Sequence, residues 1–92
     1  MRVQAEISVY PLRTSKLSGP VGAFCDVLRS HGLDVQTRSM STLTTGESSA
    51  LLAGLREGFE RLAQQNDIVM DVKISNACPA RMGQDARIER VD

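Results

Sequence analysis

Apolar and polar residues alternate from the start of the chain. Val3, Ala5, Ile7 and Val9 interleave with Gln4, Glu6, Ser8 and Tyr10. A period of two puts successive side chains on opposite faces, so this segment predicts a half-buried strand. Pro11 lacks the N–H that a ladder needs and ends it. Residues 12–17 are polar and basic and read as a loop. Ser18-Gly19-Pro20 then opens a helix, with proline tolerated in the first turn. Val21, Phe24, Cys25 and Leu28 recur at i, i+3, i+4 and i+7, which is one buried helical stripe. His31-Gly32 closes it, and Gly32 suits the left-handed position after a helix.

Residues 35–39 read as a second strand, Ser39-Met40-Ser41 as a tight connection, and residues 41–45 as a third strand. Thr44 and Glu47 have capping-box spacing, so a second helix is expected to begin near Gly46. Its apolar face is read as Leu51, Leu52, Leu55, Phe59, Leu62 and Ala63. Gly54 and Gly58 weaken this helix by propensity, or allow close packing on the sheet. Ile68, Met70, Val72 and Ile74 alternate with Val69, Asp71, Lys73 and Ser75 and form a fourth strand. The order β-α-β-β-α-β, with right-handed crossovers, predicts an α+β ferredoxin-like fold, a four-stranded antiparallel sheet with both helices on one face. The domain is expected over residues 1–79. Residues 80–92 are expected to form a surface tail or a short added strand containing Ile88 and Val91.

Parity fixes what the uncovered sheet face displays. Glu6, Ser8 and Tyr10 of the first strand lie there beside Asp71, Lys73 and Ser75 of the fourth. Such a face is a candidate ligand surface, although an ordinary solvated face or a subunit contact carries the same pattern.

Composition narrows the classes. The chain has 92 residues, with 11 basic and 11 acidic side chains. The zero net charge argues against a nucleic-acid partner and against an anionic membrane surface. No apolar run approaches the roughly 20 residues of a membrane span, and no signal peptide is evident, so a cytoplasmic protein is expected. Cys25 and Cys78 are too few for a disulfide scaffold and have no metal-ligand spacing, so no metal is expected. Cys25 falls on the buried stripe and reads as packing. His31 is the single histidine. Phosphate-loop glycines and hydrolase motifs are absent, so no catalytic residues are assigned. An enzyme built on Glu6 or Asp71 would need a pocket carboxylate with a raised pKa.

Three segments form a further pattern. Ile7-Ser8-Val9-Tyr10-Pro11 ends the first strand, Met40-Ser41-Thr42 leads into the third, and Ile74-Ser75-Asn76-Ala77-Cys78-Pro79 ends the fourth. Together, over Val3 to Pro79, they resemble the YkoF-like thiamine-binding protein family. The resemblance implies non-catalytic binding of thiamine or a related hydroxymethylpyrimidine, with no separate cofactor. It implies ligand contacts from Ser8, Tyr10, Met40, Ser41, Thr42, Ser75, Asn76 and Cys78. It also implies a single-copy unit working as a homodimer or homotetramer. The hydroxyls of Ser8, Thr42 and Ser75 are expected to surround one flat heterocycle, with Met40 or Tyr10 over a ring face. Many single-copy relatives have Pro-Met-Gly-Thr where this chain has Ser39-Met40-Ser41-Thr42. The alternative is a protein-interaction or regulatory module that uses the open sheet face or an edge strand.

Overall fold

A computed structural model describes residues 1–13 and 18–77. The expected tail over 80–92, its added strand and Cys78 lie outside the described residues. The elements are β1 (Arg2–Pro11), α1 (Ser18–Ser30), β2 (Asp34–Thr37), β3 (Thr42–Glu47), α2 (Ser48–Ala63) and β4 (Ile68–Ser75). The strands form one sheet in the order β2-β3-β1-β4. Every neighbouring pair is antiparallel. This is the ferredoxin-like arrangement that the element order predicted.

The alternation in β1 decides which face is covered. Val3, Ala5 and Ile7 are buried and share one core cluster with Phe24 and Leu28 of α1 and Leu51, Leu55 and Leu62 of α2. Both helices therefore lie on the face that carries Val3, Ala5 and Ile7. Burying each such large side chain contributes about 1.5–3 kcal/mol before entropy is counted.

The end of α1 follows its sequence signal. Gly32 has a φ of 80°. The Gly32 amide donates to the Arg29 carbonyl at 2.9 Å and the Leu33 amide to the Leu28 carbonyl at 3.4 Å. That pair of bonds is a Schellman closure, and it satisfies carbonyls that the helix end would leave unpaired.

The second helix departs from expectation in two ways. It begins at Ser48, not near Gly46, because Gly46 and Glu47 complete β3. Glu47 occupies the N-cap without a side-chain bond, and Thr44 donates its hydroxyl to the Asp34 carbonyl of β2 at 2.7 Å. The Thr44–Glu47 capping box therefore does not exist. The first helical amide, of Ser48, donates instead to the carbonyl of Met1 at 2.8 Å.

The buried side of α2 is Leu51, Gly54, Leu55, Gly58 and Leu62. Leu52 and Phe59 are exposed, as is Ala63, contrary to the expected apolar face. The glycines are the reason. A Cβ on Gly58 would lie 2.6 Å from the ring of Phe24, and one on Gly54 would lie 3.2 Å from Leu28. They let α2 approach α1 rather than the sheet. Turning them inward rotates Leu52 and Phe59 outward.

Candidate functional site

The pairing register creates an opening at one end of the sheet. β1 pairs with β3 only as far as Ile7 opposite Thr42. On its other side β1 pairs with β4 through Pro11 opposite Ile68. The last four residues of β1, Ser8 to Pro11, thus have a ladder partner on one side and none from β3 on the other. Backbone groups left out of a ladder are strong donors and acceptors.

The β2–β3 hairpin leans over this gap. The Arg38 amide donates to the Ser41 carbonyl at 2.7 Å, which closes a tight turn with Ser39 and Met40 at its tip. The Ser8 hydroxyl donates to the Met40 carbonyl at 3.3 Å. The Ser41 hydroxyl donates to Glu6 Oε2 at 3.0 Å. These two contacts tie the turn to the open face of β1.

A cleft of about 440 Å³ lies between the turn and the end of β1, walled by Val21, Thr37, Arg38 and Thr42. It adjoins a smaller cleft of about 190 Å³ on the open sheet face, lined by Glu6, Asp71 and Lys73. Ser8, Tyr10, Met40 and Ser41 line both. Small-molecule sites occupy about 300–1,000 Å³, so the larger lobe is big enough for a heterocycle and the smaller one extends it.

The predicted residues divide. Ser8, Tyr10, Met40 and Ser41 are brought together. Tyr10 is 50% exposed and Met40 84%, so both ring-covering side chains are accessible. Thr42 pairs with Ile7 and therefore faces the helices. It is 5% exposed, with its Oγ1 3.8 Å from Cys25 Sγ, and it lines the larger cleft. Ser75 shares the open face with Ser8 but pairs with Gln4. Four residues of strand separate Gln4 from Ser8, roughly 13 Å. Ser75 lines a third cleft with Gln4, Leu43 and Ile74, which meets the open-face lobe only at Glu6 and Lys73, and its hydroxyl accepts the Ala77 amide at 2.9 Å. Of the three hydroxyl residues expected to converge, Ser8 and Thr42 line the larger cleft and Ser75 lines neither of its lobes. Asn76 follows the end of β4 and is exposed.

Sequence reasoning missed Arg38, Ser39, Thr37 and Val21. Arg38 and Ser39 precede Met40 in the turn, so their neighbourhood to it was a signal; Val21, on α1, had none.

A charged cluster lies elsewhere, between the two helices. His31 Nε2 donates to Glu57 Oε1 at 2.7 Å and Arg61 donates to Glu57 Oε2 at 2.6 Å. The His31 hydrogen bond, helped by Arg61 and opposed by desolvation, holds the Glu57 carboxyl below its ordinary value. This cluster joins the end of α1 to α2. Among the described residues no group of three or more His, Cys, Asp or Glu side chains could hold a metal. No helix among them is long and apolar enough to cross a membrane.

The model of the thiamine-binding protein family matches residues 5–91. The chain belongs to this family. Membership covers the cleft, β4 and the segment beyond it, further than the three motifs alone indicated. Solved structures similar to this family member include a hypothetical protein of Methanocaldococcus jannascii. It has 23% identity and a TM-score of 0.79, over 95% of this chain and 98% of that one. A protein of Streptococcus pneumoniae has 18% identity and a TM-score of 0.78, over 95% and 99%. A Thermotoga maritima protein described as a candidate for thiamine biosynthesis or salvage has 16% identity and a TM-score of 0.75, over 97% and 100%. At these identities the likenesses show a shared fold. No curated protein matches the chain.

Proposed function

We propose that this protein binds thiamine or a related hydroxymethylpyrimidine, without catalysis, in the cleft between the hairpin turn and the end of β1. The observation that carries this reading is the register. β3 stops short of Ser8, and the resulting gap falls on residues of two of the family-like segments. The free backbone edge of Ser8 to Pro11 and the hydroxyls of Ser8 and Ser41 suit the donors and acceptors of an aminopyrimidine. Met40 and Tyr10 supply polarisable and aromatic cover for a flat ring. Glu6 and Asp71 in the adjoining lobe favour a cationic thiazolium.

Both carboxylates are exposed, a setting that solvates them with water instead of holding them dry against a reacting atom. Together with the family's binding character, this supports a carrier, store or sensor. An open cleft on the sheet face also weighs against a surface dedicated to a protein partner. The working form is proposed to be a cytoplasmic homodimer or homotetramer. Titration calorimetry with thiamine and with hydroxymethylpyrimidine tests the binding reading. Saturable heat, weakened in a Ser8→Ala, Ser41→Ala double variant, is expected. No heat and no thermal shift with either compound would refute it.

A further inference from the structure

The two lobes of the cleft differ in charge. The lobe on the open sheet face is lined by two carboxylates, Glu6 and Asp71, and by Lys73, which stands opposite Glu6 in the register. The larger lobe has a single charged side chain among the described residues, Arg38. Around it stand the hydroxyl residues Thr37, Ser39 and Ser41. A ligand spanning both lobes therefore meets net negative charge at one end and a guanidinium with hydroxyl donors at the other.

Arg38 retains donors for a ligand. Its Nη2 donates to Gln36 Oε1 at 3.0 Å, which uses one of the five N–H groups of a guanidinium. The remaining fork matches two oxygens of a phosphate, which arginine recognises bidentately. A neutral alcohol would leave this fork unused. A phosphate monoester would engage it and accept further hydrogen bonds from the Thr37 and Ser39 hydroxyls.

We propose that the site selects the phosphate monoester of its heterocyclic alcohol over the free alcohol, with Arg38 holding the phosphate and Glu6 and Asp71 facing the opposite end. This inference rests on the binding reading above and adds the ligand's phosphorylation state to it. The phosphate could sit on the hydroxyethyl arm of a thiazolium or on the hydroxymethyl group of a pyrimidine. Both present the same dianion to Arg38.

The test is calorimetry on the full chain at low and at raised salt, with four ligands and with inorganic phosphate. The ligands are thiamine, thiamine monophosphate, hydroxymethylpyrimidine and its monophosphate. At low salt one of the monophosphates is expected to bind about tenfold tighter than its own alcohol, the size of one charge-assisted hydrogen bond. The advantage is expected to shrink with salt, because Arg38 is exposed and screening acts on exposed charges. Arg38→Gln is expected to remove the advantage by weakening the monophosphate about tenfold more than its alcohol, and Arg38→Lys to restore only part of it. Arg38 is on the surface of a turn, so these variants should fold, and unchanged circular dichroism and melting check that. Which pair shows the advantage identifies the arm that carries the phosphate. An alcohol that binds as tightly as its monophosphate overturns this inference and leaves the binding reading intact. So does a phosphate advantage that survives Arg38→Gln, or one that inorganic phosphate cannot compete for at any concentration. Failure of all four ligands to bind sinks both.

Discussion

Replacing Gly58 by alanine sets two effects of opposite sign against each other. By intrinsic propensity, glycine to alanine inside a helix stabilises by about 1 kcal/mol. The structure opposes this. A Cβ at Gly58 would lie 2.6 Å from both Cδ1 and Cε1 of Phe24, about 1 Å inside an ordinary carbon contact. Phe24 is 1% exposed and belongs to the central cluster, so its ring has no free space to enter. Overpacking a closed core costs about 1–3 kcal/mol. Taking the middle of that range and subtracting the propensity gain leaves a net loss of about 1 kcal/mol. For a domain of this size that lowers the melting temperature by roughly 4–8 °C. Gly22→Ala is the matched control, because Gly22 is also helical and its added Cβ would meet nothing within 4 Å. It should raise stability by about 1 kcal/mol. Calorimetric melting of both variants and the wild type, at one protein concentration, reads the difference. A Gly58→Ala protein that melts at or above the wild type would refute the close approach of α2 to α1.

Other outcomes follow from the same geometry. Gly32→Ala places a Cβ at a φ of 80° and should lower stability in urea titration by about 1–2 kcal/mol. An unchanged midpoint would contradict the Schellman closure of α1. Thr42→Val should leave thiamine affinity within about threefold of wild type, because Thr42 is turned toward the helices. A tenfold loss by calorimetry would return Thr42 to the ligand. Glu57 has a lowered folded pKa, so its contribution to stability is full above the unfolded pKa and fades as pH falls through the folded one. Glu57→Gln should therefore flatten the acid limb of the melting-temperature profile below the ordinary carboxylate pKa. An acid limb parallel to that of the wild type would remove the His31–Glu57 link from the account.

Strands and their faces were legible because a two-residue period leaves little choice once one face is buried. The alternation in β1 and β4 alone puts Glu6, Ser8, Tyr10, Asp71 and Lys73 together on the open face, where they line one cleft. Thr42 lines the larger cleft as its motif implies, but from the helix side of the sheet, which parity and not motif determines. Opposite Ile7, it had to face the helices. Motif membership says nothing of register, and four residues of offset along β1 separate Ser75 from Ser8. The buried side of α2 was illegible to a reading based on hydrophobicity. Glycines carry no apolar side chain to count, yet Gly54 and Gly58 set which side of α2 meets α1. The capping box at Thr44 and Glu47 was a local pattern overridden by a tertiary partner, the Asp34 carbonyl on the neighbouring strand.

A crystal structure of the protein grown with thiamine tests the central claim most directly. The account predicts the heterocycle between the turn over residues 38–41 and the last residues of β1, within hydrogen-bonding distance of Ser8 and Ser41. A ring bound beside Ser75 or against the outer side of α2, with the gap next to Ser8 filled only by solvent, would contradict it.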